Sequence, residues 1–127
     1  MKFAKWTFYV AGVYGVLVLA PMYFMEAKIG RDTPPPITHP EFFYGFVGVA
    51  LAWQILFLMI GADPIRLRPA IPAAVVEKVT FAVAVPILYA QGRVSLSMLG
   101  AASIDAVLGI LFVIAYFRTR VTSDVRP

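Results

Sequence analysis

The chain has 127 residues and a formal charge of +4, with 61% apolar residues, 14% charged residues and a mean hydropathy of +0.82. A soluble domain carries about 25% charged residues, so this composition excludes an ordinary water-soluble domain and points to a bilayer as solvent. The lack of cysteine excludes disulfides and thiol chemistry, and with one histidine no metal site and no cofactor is expected.

The reading in chain order is an all-α, four-helix transmembrane bundle, one integral membrane domain over residues 1–127. The first span covers roughly residues 6–25, WTFYVAGVYGVLVLAPMYFM, preceded by Lys2 and Lys5. A signal peptide has a core of only about 7–15 apolar residues and a small-residue cleavage site. This run is longer and no such site follows, so a retained span is expected. Ala11, Gly12 and Gly15 form a small-residue patch that admits a close helix neighbour. Pro21 near the far end is a place for a kink or fraying.

An outer loop over residues 26–40 follows, EAKIGRDTPPPITHP. Its three consecutive prolines favour an extended, stiff crossing. Thr38 to Glu41 reads as a capping box, Thr38 capping the next helix and Glu41 reaching back. His39 then occupies the first helical position, and its pairing with Glu41 is read as structural before any acid/base or metal role.

The second span covers roughly residues 41–60. Gly45, Gly48 and Ala52 make a second small-residue stripe, with Gln54 well round the helix from it near mid-span. Gly61 stops the helix. A basic turn over residues 61–69 carries Arg66 and Arg68, with Asp63 as N-cap and Pro64 at the first position of a single helical turn. The third span covers roughly residues 70–89 and is expected to bend at Pro86. Residues 91–95 form a tight connection. The fourth span covers roughly residues 96–117, and the tail over 118–127 carries Arg118 and Arg120.

The bases fall unevenly. Lys2, Lys5, Arg66, Arg68, Arg118, Arg120 and Arg126 lie on the side of the termini and second loop; Lys28, Arg31 and Arg93 lie on the other. The positive-inside rule places both termini in the cytoplasm, in a bacterial inner membrane. Because these bases sit at span ends, where they meet lipid headgroups and set topology, nucleic acid is not expected as a partner. Trp6, Tyr23, Tyr89 and Tyr116 fit an interfacial aromatic belt.

Three ionisable residues fall inside the spans, Glu77, Lys78 and Asp105. A charge at mid-bilayer costs at least ~2.5–3.5 kcal/mol on insertion scales, so each needs a reason. Asp105 is roughly 13 Å from its boundary at ~1.5 Å per residue, near the midplane, with Ala101 and Gly109 on its face. It should point into the bundle. Neighbours on a helix point about 100° apart, so Glu77 is expected to pair with Arg66 or Arg68 from the preceding turn. Lys78 has two destinations: it snorkels to the surface, or it reaches Asp105, whose depth differs by roughly 5–6 Å. The functional reading groups Asp105, Glu77, Lys78 and Gln54 around an internal pocket; the plainer reading is an ion-pair network with Gln54 as an interhelical hydrogen bond.

The runs HPEFFYGFVGVALAWQ, IGADPIRLRP, EK and LYAQGR resemble a family of small bacterial four-span integral membrane proteins described as uncharacterised. The resemblance spans residues 39–93 and implies no activity. Small multidrug-resistance transporters share the length and span number, but their essential glutamate lies in the first span, which has no acidic residue here. The function expected is binding of a lipid-like or hydrophobic small molecule in the polar pocket. The alternatives are a structural subunit of a membrane complex or homo-oligomer, and a proton-coupled transporter or membrane-embedded enzyme using Asp105.

Overall fold

The computed structural model describes residues 2–120, and over them the chain is all-helical, with five α-helices: α1 (Lys2–Leu19), α2 (Glu26–Asp32), α3 (Pro40–Ala62), α4 (Ile71–Ala90) and α5 (Leu96–Arg118). Four helical stretches are long and apolar enough to cross a membrane: Lys2–Phe24, Pro40–Ala62, Arg68–Ala90 and Leu96–Arg118. Their outward faces are apolar as well, with Val10, Leu17, Val49, Ile55, Val83 and Ile110 exposed. Helices that are apolar all round suit hydrocarbon surroundings, not water. Arg126 and most of the C-terminal tail lie outside the described residues.

The helices pack as two pairs, α1 with α3 and α4 with α5, joined chiefly by α1 against α5. The first pair rests on glycines. A methyl group on Gly12 would come within 2.7 Å of Leu58 Cδ2 and 2.9 Å of the Gln54 carbonyl oxygen, and one on Gly61 within 2.6 Å of the Tyr9 ring. Lipid tails are as apolar as leucine, so such helices associate through close packing, which residues without side chains allow. The patch expected on the first span is therefore the seam against α3. In the second pair, a Cβ on Gly109 would lie 3.3 Å from Lys78 Cβ.

The tightly packed core occupies the basic end of the bundle. Phe8, Phe57 and Phe112 are fully buried there with Ile60, Ile71 and Ala115. The Phe8 and Phe112 rings stack at 4.2 Å between centroids, and Phe57 meets Phe112 edge-on at 5.0 Å. Aromatic pairs of this geometry add about 0.5–1.5 kcal/mol each beyond the area they bury.

Three local expectations are corrected. Residues 26–32 are helical, not part of an extended loop. Glu26 in the first turn and Arg31 in the last suit the helix dipole, and Lys28 pairs with Asp32 one turn on, holding that exposed carboxyl below its usual range through a hydrogen bond. The capping box does not form. Pro40 takes the first helical position and His39 the cap, which leaves Glu41 one position short of reaching back. Glu41 Oε1 lies 3.1 Å from His39 Nδ1 instead. Gly45 and Ala52 are exposed, and a methyl on Gly45 would meet nothing within 4 Å. Only Gly48 of that stripe meets a neighbour, the Tyr23 hydroxyl, 3.3 Å from where its Cβ would lie; α3 turns Val47, Gln54, Phe57 and Ile60 inward. At Pro21 the first span tightens into a 3-10 stretch, Ala20–Phe24, the local form of the expected irregularity.

The turn after α3 follows its reading. Asp63 Oδ1 accepts from the Arg66 backbone N–H at 3.2 Å, and the Leu67 N–H donates to the Asp63 carbonyl at 3.0 Å, closing one helical turn. The α4 helix continues through Pro86 to Ala90.

Candidate functional site

Between the two helix pairs, on the side of the core away from the basic end, lies a cavity of about 950 Å³. Drug-sized ligand sites typically measure about 300–1,000 Å³. Tyr14, Gly15 and Leu19 of α1 and Phe46, Ala50 and Trp53 of α3 form one wall. From α4 and α5 come Phe81, Thr80, Met98 and Ala101. The lining is largely apolar. Phe46, Val49 and Val76 at its edge are exposed, so the cavity opens sideways between α3 and α4.

All four polar residues grouped at the sequence level line this cavity: Gln54, Glu77, Lys78 and Asp105. Lys78 is 3% exposed and donates through Nζ to Asp105 Oδ1 at 3.3 Å. Of its two destinations it takes the inward one. The pair fixes the register of α4 against α5, and Gly109 makes the close approach feasible. Lys78 Nζ also lies 5.2 Å from the Phe57 ring centroid, a favourable cation–π position. Removing one member of a buried ion pair leaves an uncompensated charge and costs about 3–5 kcal/mol.

Glu77 pairs differently from its sequence reading. Its Oε2 lies 3.5 Å from Lys78 Nζ. The backbone directions do diverge, but the four-carbon lysine stem brings its ammonium back between the two carboxylates. The arginines are engaged elsewhere or outward. Arg68 Nε donates to the Tyr116 carbonyl at 2.9 Å, and its guanidinium stacks 3.8 Å from the Tyr116 ring centroid. It thus satisfies one of the last carbonyls of α5 and ties α5 to the α3–α4 turn. The Arg118 guanidinium covers the Phe3 ring at 4.8 Å, linking α5 to α1. Arg66 and Arg120 are exposed at the same end, where headgroup contact is open to them.

Gln54 is 2% exposed. Its Nε2 donates to the Ala50 carbonyl one turn earlier at 3.0 Å, within its own helix and not across to a neighbour. Among the described residues its Oε1 has no hydrogen-bond partner, and Glu77 Oε2 has only its long 3.5 Å ion-pair contact with Lys78. An unmet buried acceptor costs about 1–3 kcal/mol, so the Gln54 oxygen in the cavity wall requires an explanation. The Gln54 carboxamide fills the space over Gly15, where any side chain would collide with it.

Sequence reasoning missed the cavity's aromatic walls. Phe46, Ala50, Trp53 and Gln54 recur at helical spacing on one face of α3, which was a legible signal. Tyr14 and Phe81 carried none, because neither is set off by an apolar periodicity that marks one face of its helix.

Comparison with family models, with curated proteins and with solved structures finds no match for the chain.

Proposed function

We propose that this chain is a multi-pass protein of the bacterial inner membrane, both termini cytoplasmic, that binds a lipid-like or hydrophobic small molecule in its central cavity. Four long apolar helices support the membrane assignment, and the excess of bases at one end supports the orientation. The observation that carries the binding reading is the cavity: an apolar chamber with a lateral opening and a buried polar cluster in its wall. A lateral opening suits a ligand that arrives through the bilayer. The polar cluster orients one end of it, which is how largely apolar sites gain specificity. Asp105 and Glu77 face the ligand's polar end, Gln54 assists, and Lys78 balances charge. No reaction is assigned.

Native mass spectrometry of the detergent-extracted protein tests this. Wild type should retain a small molecule or lipid that Asp105→Asn loses. A bare chain in both, with cavity residues indifferent to added amphiphiles, counts against the reading.

One observation favours a second reading, as an accessory subunit of a membrane complex or a homo-oligomer. Gly45 and Ala52 on this face are exposed, and no atom lies within 4 Å of a Cβ on Gly45 among the described residues; small-residue faces are what membrane helices use to dock. A proton-coupled transporter or membrane-embedded enzyme built on Asp105 has less behind it, since Lys78 already engages that carboxylate.

A further inference from the structure

We propose that the cavity selects amphiphiles whose head is a monocation carrying N–H groups, a protonated amine on an apolar body, over neutral or anionic amphiphiles. This rests on the reading of the cavity as a ligand site and specifies its chemistry.

Three observations converge. The first is charge. Two carboxylates, Glu77 and Asp105, and one ammonium, Lys78, line the cavity, and no other base does. Fully ionised, the cluster carries one negative charge in excess, which a single cation neutralises. Lys78 offers an anionic head little, because it lies within 3.5 Å of both carboxylates.

The second is hydrogen bonding. Among the described residues Gln54 Oε1 is a buried acceptor without a donor, and Glu77 Oε2 has only the Lys78 ammonium, 3.5 Å away and shared with Asp105. One N–H of the Gln54 amide donates to the Ala50 carbonyl, and the Thr80 hydroxyl donates to the Val76 carbonyl at 2.9 Å. A carboxylate or phosphate head brings only more acceptors. An alkylammonium brings three donors and no acceptor.

The third is the lining. Tyr14, Phe46, Trp53 and Phe81 supply π-faces, which attract cations, most strongly when water is absent. The remaining wall accommodates an alkyl body. Lysine and arginine side chains of the protein itself do not fill this role, since Arg68 and Arg118 are held at the basic end.

The test uses full-length protein in a neutral maltoside detergent. The chain has two tryptophans, so Trp6→Phe leaves Trp53 in the cavity wall as the reporter; circular dichroism confirms that the variant keeps its helicity. Three bromoalkyl probes of equal chain length are added at matched micellar mole fraction: an ω-bromoalkylamine, the corresponding alcohol and the corresponding carboxylate. Bromine quenches indole fluorescence on contact. The expected result is saturable quenching by the amine at about tenfold lower concentration than by the alcohol or carboxylate, a factor worth ~1.4 kcal/mol. Glu77→Gln, nearly isosteric, should bring the amine down to the alcohol. Saturable quenching without preference, or with preference for the carboxylate, overturns the cation assignment while leaving the cavity a ligand site. Quenching by no probe beyond the linear collisional level overturns both.

Discussion

Gly15 and Gln54 compete for one volume: the carboxamide of Gln54 lies where a side chain on residue 15 would have to be. The glycine is what admits a buried amide to the α1–α3 seam, and it brings Oε1 to the cavity without a partner. Gly15→Ala should therefore destabilise the protein by about 1–3 kcal/mol, the usual cost of overpacking. In a Gln54→Ala background the same change should cost nearly nothing. Unfolding in detergent, followed by circular dichroism for the four members of the cycle, measures the coupling; additive effects would mean the two residues do not share space.

The ion pair between α4 and α5 gives a second expectation. Lys78→Met leaves Glu77 and Asp105 facing each other without a counter-charge and should cost about 3–5 kcal/mol. Adding Asp105→Asn to that variant should recover part of the loss, because the remaining carboxylate no longer has a like charge beside it. Two losses that simply add would show that Lys78 and Asp105 are not paired in solution.

Arg68 is held by geometry, not by charge alone. Its Nε–H meets the Tyr116 carbonyl while its plane stacks on the Tyr116 ring. A lysine cannot do both at once. Arg68→Lys should lower the thermal midpoint, with a loss of about 1–2 kcal/mol. A midpoint equal to wild type would reduce Arg68 to a headgroup contact.

Gly45→Leu separates the two functional readings. No atom lies within 4 Å of the position a Cβ would take, so the stability of one chain should change by less than about 0.5 kcal/mol. If the outward face docks another helix, the same substitution should lower association in analytical ultracentrifugation. An unchanged sedimentation profile removes this face as a docking surface.

Orientation is directly measurable because the chain has no cysteine. Single cysteines at Arg66 and at Ser95 sit at opposite ends of the bundle, both exposed. In intact cells an impermeant maleimide should label the Ser95→Cys chain and spare Arg66→Cys. The reverse pattern would invert the topology read from the bases.

What was legible followed from spacing along single helices. The four long apolar helices come from the apolar runs, and the small-residue patch at Gly12 and Gly15 and one of the two destinations open to Lys78, Asp105, come from face assignment and rise per residue. What was not legible depended on choices between equally suitable options. The small-residue stripe of α3 pointed to Gly45, Gly48 and Ala52, whereas α1 meets the face of Gln54, Leu58 and Gly61, which nothing local marks. Glu77 had two arginines within reach on paper, but Tyr116, forty-eight residues along from Arg68, claimed one of them. The Thr38 cap lost to Pro40 by one position, a shift that changes which side chain Glu41 can meet. Residues 26–32 were masked by the prolines after them.

The cluster of Phe8, Phe57 and Phe112 lies toward the basic end of the bundle, and the chamber begins beyond it, at Lys78. The arrangement is that of a clothes-peg, with its spring and its jaws apart. Pivoting one helix pair against the other by a few degrees about the stacked rings moves the far ends by about an ångström or more, a modest rigid-body shift. Such a pivot would widen or narrow the chamber while the aromatic cluster keeps its packing.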